Sequence, residues 1–176
     1  MNPDNLLDFL AKAGELKSTP RTGWLESGVK NPESVADHSY RTALAAMVLS
    51  DANGLDTCKV MRMALLHDLA EAETGDITPK EKKESHRELE DNAMKNILSV
   101  LDDAQRELYW SIWTEYQEAS SPEAILVHDV DKVEMVLQAS EYQKTSNNSE
   151  LNRFYHAMVS PPSRKIVEKI KERLSR

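Results

Sequence analysis

The chain has 176 residues, 40% hydrophobic and 30% charged, with a formal net charge of −8. That balance argues for one globular domain with its own core rather than a disordered chain, while the acidic surplus disfavours nonspecific binding to duplex DNA or anionic membranes. Cys58 is the lone cysteine, so no internal disulfide and no cysteine zinc site can form, and no apolar run approaches the ~20 residues of a membrane-spanning helix.

Taken in chain order, the sequence predicts helix throughout. Strand-like alternation is almost absent, and apolar residues recur with a 3.6-residue period. The opening stretch, MNPDNLLDFLAKAGELK, carries acids early and lacks a long apolar core. It does not read as a signal peptide, and a cytoplasmic setting is the expectation. A first helix is predicted over residues 4–16. Residues 18–37 are irregular, with Pro20, Gly23, Gly28 and Pro32 as breakers. A second helix covers residues 34–53 and ends at Gly54. Asp56 is placed to cap a third, running to Glu73 and closed by Gly75. After a loop over 75–79, a charged, exposed helix is predicted over 80–101, and another over 103–119. Ser121-Pro122 has the cap-then-proline form of a helix start, and that helix is expected to reach Tyr142. A polar loop over 145–150 precedes a short helical segment over 151–158. Pro161-Pro162 then breaks the chain, and Ser163 is predicted to cap a last helix over 164–174. The fold class read from this pattern is all-α, in a single domain without repeats.

Four polar residues interrupt apolar stripes. His38 shares a helix face with Thr42, Ala45, Ala46 and Leu49. His67 continues the stripe Val60, Met63, Ala64, and Asp68 the stripe Met61, Ala64, Leu65. Asp131 lies between Val127 and Met135, each one turn away. Each has a plain reading alone: a satisfied core histidine, or for Asp131 a buried ion pair with Lys132 or Arg62. A buried carboxylate is expensive unless paired or metal-bound, however, and two imidazoles with two carboxylates from three helices suit a divalent cation. Glu71, one turn after His67, and Asp76, in the glycine loop, stand beside this group. Glu71 reads either as a solvated helix residue or as a general acid or base. Asp76 reads as a turn residue, or as a group that serves catalysis or a second cation.

The segments PESVADHSYR (residues 32–41), ALLHDLAEAETGDIT (64–78) and DVDKVEMVLQA (129–139) resemble the HD-domain metal-dependent phosphohydrolases. The similarity is strongest to the 5′-deoxynucleotidase branch, the bacterial YfbR-like and eukaryotic HD-domain-containing 2-like proteins. It spans residues 6–144, and the strings ESVADHS and H-D-x-x-E-x-x-x-G-D-I are its most specific parts. The resemblance implies an all-helical HD bundle with a metal held by His38, His67, Asp68 and Asp131. It places Glu71 and Asp76 on catalytic positions and Ile77, Thr78 and Pro79, with Asp76, on a substrate loop. It implies Co²⁺ or Mn²⁺ as the preferred ion, with Ni²⁺, Zn²⁺, Fe²⁺ or Mg²⁺ also compatible, a second cation near Glu71 and Asp76, and a homodimer acting on deoxyribonucleoside 5′-monophosphates.

Residues 20–24, PRTGW, carry another mark of the family. Bacterial members place the arginine directly before the tryptophan, and the form here resembles the eukaryotic and archaeal side. Arg21 offers a fork of donors for phosphate, and Trp24 a wall against base or sugar; the plainer readings are a surface salt bridge and a plug under the loop. Trp110 and Trp113, with Tyr109 and Tyr116, read as core or dimer contacts. His86 and His156 read as solvated, His128 as surface or as support for the ligands, and 80–84 as an exposed charge run with Lys80 nearest the substrate loop. Hydrolysis of dNTPs or of cyclic or signalling nucleotides is the competing enzymatic reading. A non-catalytic metal-stabilised sensor is the competing reading from another class, and free carboxylates at Glu71 and Asp76 argue against it.

Overall fold

The structure is a computed structural model that describes residues 2–78, 80–146 and 148–174, with Glu84 described as backbone alone. The described residues form helices α1 (Pro3–Glu15), α2 (Thr22–Glu26), α3 (Val35–Asn53), α4 (Thr57–Leu66), α5 (Glu71–Thr74), α6 (Glu84–Leu98), α7 (Asp103–Glu118), α8 (Pro122–Thr145) and α9 (Pro161–Leu174). A 3-10 helix, Ser149–His156, lies between α8 and α9. The all-α reading is the fold observed.

Local chemistry explains the ends of the long helices. Ser34 and Asp37 form a reciprocal capping box at the start of α3, and Gly54 closes that helix in the left-handed region at φ 67°. Asp56, Asp102 and Ser121 each accept a backbone N–H at the start of α4, α7 and α8. One core cluster, built on Val35, Ala46, Met63, Leu98, Trp113 and Val127, joins α3, α4, α6, α7 and the first half of α8. A second gathers Trp24, Val136, Leu151 and Val167 around the other half of α8. Trp113 and Tyr116 are therefore core residues.

Residues 22–26, expected to be irregular, form α2, α6 ends at Leu98 and α8 runs on to Thr145, and three other boundaries move further. The helix expected from Asp56 to Glu73 stops at Leu66. From there the backbone tightens into three-residue hydrogen bonds (Leu69 N–H to Leu66, Glu71 to Asp68, Ala72 to Leu69) before α5 begins. The helix expected from residue 80 begins at Glu84, where the N–H of Lys83 donates to His86 Nδ1 at 2.8 Å. The last helix begins at Pro161, because prolines are tolerated in a first turn whose N–H groups need no partner. Ser163 is thus inside α9 and buried, and its hydroxyl donates to Asp129 Oδ2 at 2.8 Å.

Asp129 is the latch between α8 and α9. It also accepts the Ser160 backbone N–H at 2.9 Å and the Ser160 hydroxyl. Asp129→Ala orphans these donors in a largely buried place and is expected to lower stability by about 1–3 kcal/mol in a urea titration.

Candidate active site

The site sits where α3, α4 and α8 meet. An isolated bridge between Pro20 and Ser34, with Arg21 N–H on Glu33 at 3.1 Å and Val35 N–H on Thr19 at 2.9 Å, lays residues 19–21 along the start of α3. That puts Arg21 beside the HD doublet. His38 comes from the first turns of α3, and Asp131 from the middle of α8. His67 and Asp68 come from the tight turn after α4.

His38 is fully buried and His67 is 4% exposed. His38 Nε2 lies 3.2 Å from Asp131 Oδ1 and 3.7 Å from Asp68 Oδ2, and His67 Nε2 lies 3.1 Å from the same Asp68 oxygen. Neither Nε2 has a hydrogen-bond partner of acceptable geometry. Each ring is fixed from behind, His67 by Nδ1 against the Ala64 carbonyl at 2.7 Å and His38 by Nδ1 against Glu134 Oε2 at 2.5 Å. Ligand atoms of His38, His67 and Asp68 lie within 4.8 Å of one another. Asp131 joins them through His38, and neither Lys132 nor Arg62 pairs with it among the described residues. Orphaned imidazole nitrogens facing carboxylates are the donor set a divalent cation takes, so these residues fit one.

Burial works to raise the Asp68 carboxyl, but His67, Arg21 and His38 outweigh it and hold it well below the usual carboxylate range. Asp131 is also lowered, against its burial, by His38 and His67. Glu71 goes the other way. Burial, with Asp68 and Asp76 nearby, pushes it up to about 10, and its Oε2 is buried without a partner. Asp76 is occupied: Oδ2 accepts the Thr22 N–H at 2.5 Å, Oδ1 lies 3.6 Å from Arg21, and its carbonyl accepts the Thr22 hydroxyl at 2.7 Å. Arg21 also donates to Asp68 at 3.1 Å, a half-buried pair in the cleft rather than a surface one.

These groups open into a cleft of about 520 Å³ whose lining includes Arg21, Trp24, Asp68, Glu71, Asp76 and Asp131. Ile77, Thr78 and Lys80 line it too, while Pro79 lies outside the described residues. Trp24 is 2% exposed, packs on Phe154 and Tyr142, and donates its indole N–H to Glu33 Oε1 at 2.9 Å. Burial and Glu134 raise Glu33 to about 7 despite that bond.

A model of the HD domain matches residues 13–173. The chain belongs to the HD domain family. Among its relatives, 5′-deoxynucleotidase HDDC2 of Homo sapiens is 46% identical over 156 residues, 86% of this chain and 75% of that protein. 5′-Deoxynucleotidase YGK1 of Saccharomyces cerevisiae is 36% identical over 165 residues, 89% and 76% of the two. A solved structure of a conserved hypothetical protein from Pyrococcus furiosus superposes with a TM-score of 0.81 at 34% identity, covering 94% of this chain and 99% of that one.

The HD-domain cleft has a wall that sequence reasoning missed. Arg153, Phe154, His156, Ala157 and Met158 line it from the 3-10 helix and the residues beyond. Arg153 donates to the Gly23 carbonyl at 2.9 Å, and Asn148 donates to the Ser27 carbonyl at 2.5 Å, tying this wall to α2. The sequence predicts a short helical segment here, but its place against the cleft comes from long-range contacts that periodicity does not reveal. His156 is exposed as expected, but on the rim of the cleft. His128 stacks on Tyr116 at 4.0 Å, and Tyr116 meets the His67 ring edge-on, so His128 stands one layer behind the site.

Glu71 gives a test of this electrostatic picture in the metal-free protein. Its pKa rises from an ordinary 4.5 to about 10 on folding, so the folded state holds a proton that the unfolded chain releases. Stability contributed by that proton is full below pH 4.5 and drains away as pH rises towards 10. Glu71→Gln, neutral at every pH, is expected to unfold at higher denaturant than the parent at pH 8, and the gap should close towards pH 4.5. Parallel stability curves for the two proteins across that range would count against a protonated Glu71.

Proposed function

We propose that the protein is a metal-dependent phosphomonoesterase that hydrolyses deoxyribonucleoside 5′-monophosphates to deoxynucleoside and phosphate. The observation that carries this reading is the pair of orphaned, buried imidazole nitrogens facing Asp68 and Asp131 beside an open cleft. Relatives of 36% and 46% identity named 5′-deoxynucleotidase support it. The whole chain is taken as one HD domain, with His38, His67, Asp68 and Asp131 as the metal ligands. Mixed imidazole and carboxylate donors suit Co²⁺ or Mn²⁺ best, and are compatible with Ni²⁺, Zn²⁺, Fe²⁺ or Mg²⁺, with room for a second cation near Glu71 and Asp76. When bound, such an ion supplies Lewis-acid polarisation of the phosphate and a more acidic water.

The chain's own residues divide the remaining work. Arg21, charged throughout the working range, offsets phosphate charge at the cleft wall. Glu71 has the free, buried carboxyl, and its place beside Asp68 suits it to position the attacking water or to protonate the leaving 5′-oxygen. Asp76 has its oxygens engaged by Thr22 and Arg21, so it ties the start of the substrate loop, before Ile77 and Thr78, to the beginning of α2. Trp24, backed by Phe154, gives a rigid edge for the sugar and disfavours a 2′-hydroxyl. A cytoplasmic homodimer acting on free nucleotides, rather than on nucleic-acid polymers or membranes, completes the reading.

Phosphate release from dAMP with Mn²⁺ or Co²⁺ is the direct assay. Asp68→Ala should abolish it, and Glu71→Ala should cost about 10²–10⁴-fold or more in kcat, the range for losing a general acid or base. Asp76→Asn should act mainly through KM. Activity retained by the Glu71 variant would remove its assigned role.

A further inference from the structure

We propose that Glu134 is the positioning residue of the metal centre: it holds His38 with the ring proton on Nδ1, leaving Nε2 bare, and Arg41 holds Glu134 in turn. The inference rests on the metal reading above and goes beyond the ligands themselves. A ligating imidazole nitrogen must carry no proton, so the partner of the other nitrogen decides whether the ring is ready. His38 Nε2 faces Asp131 and Asp68, and Nδ1 meets Glu134 Oε2 at 2.5 Å. The Glu134 side chain is 1% exposed, so little water competes for it. Its other oxygen, Oε1, accepts from Arg41 Nε at 2.8 Å.

The arrangement is reciprocal between two helices. On α3, Arg41 follows His38 by one turn; on α8, Glu134 follows Asp131 by one turn. Each helix therefore brings one proposed ligand and one residue that supports the partner helix. Arg41 continues along α8 to Gln138 Oε1 at 2.5 Å and Glu141 Oε2 at 2.8 Å, which fixes the guanidinium before it reaches Glu134. The two histidines are not treated alike. His67 leans on the Ala64 carbonyl, a neutral acceptor, whereas His38 leans on a carboxylate, which makes an imidazole the more basic ligand.

The chemistry forbids glutamine here. Arg41 and His38 Nδ1–H are both donors, and a carboxylate offers each an oxygen. A glutamine has one oxygen and an NH₂ that only donates. If Arg41 takes the oxygen, the NH₂ faces His38 and favours the tautomer with its proton on Nε2, the nitrogen that must be bare. A purely structural role for Glu134 would not predict that metal binding suffers.

Mn²⁺ titrated into metal-stripped wild-type and Glu134→Gln proteins, with free Mn²⁺ read by electron paramagnetic resonance and folding by circular dichroism, tests this. The variant is expected to bind Mn²⁺ about 10–100-fold more weakly. Its KM for dAMP at saturating Mn²⁺ should stay near the wild-type value. Wild-type Mn²⁺ affinity in a folded Glu134→Gln overturns the proposal. A second measurement needs no variant. In ¹⁵N-labelled, zinc-loaded wild-type protein, the His38 Nδ1 proton should resonate far downfield, as a bond to a carboxylate requires, and its absence there also overturns the proposal. Wild-type protein that binds no Mn²⁺ at all would instead remove the metal reading beneath it.

Discussion

Two buried imidazole nitrogens set against two half-buried carboxylates at the floor of a cleft are the constraint around which this molecule is arranged. Left alone, His38 Nε2 and His67 Nε2 would each be a buried polar atom without a partner, and Asp68 and Asp131 would be two half-buried charges side by side. Arg21, at hydrogen-bond distance from Asp68, covers part of that cost. The surroundings keep the group together: Glu134 and Ala64 hold the rings from behind, and Tyr116 closes the edge of His67. Such a cluster is tolerable when a cation completes it, and the HD domain family to which the chain belongs supplies the setting.

The backbone serves this cluster through its irregularities. A continuous helix would point His67 and Asp68 about 100° apart. The turn after Leu66 brings their side chains to 3.1 Å instead and starts α5 at Glu71, with its carboxyl buried beside Asp68. The Pro20–Ser34 bridge plays the matching part on the other side. It carries Arg21 and Thr22 to the doublet and to Asp76.

Much of this was legible from residue pattern alone. Caps at Asp56 and Ser121, and glycine at 54, placed the starts of α4 and α8 and the end of α3. Polar residues on apolar stripes singled out His38, His67, Asp68 and Asp131, because a stripe tolerates a carboxylate only for a reason. The turn at 67–70 was not legible, since its residues form helix well and tertiary packing broke it. Glu134 was hidden for the opposite reason: it sits in the charged string DKVE and looks like surface, yet it lies one turn from Asp131 on the buried face. The cleft wall from Arg153 to Met158 was legible as a short helical segment, but nothing in its sequence marks it as facing the HD residues, which it meets through long-range packing.

That wall has a consequence for how such a protein can change. The proposed metal ligands all lie between residues 38 and 131, while the 3-10 helix reaches back 130 positions, from Arg153 to Gly23, to close the cleft. This wall is therefore encoded apart from the proposed ligands and the 76–78 side of the cleft, and it joins them through its bonds to Gly23 and Ser27 beside Trp24. Sequence drift in 148–158 can reshape what fits against the sugar and base without touching a ligand. The same scaffold can be retuned towards new phosphate esters while its metal chemistry stays as it is.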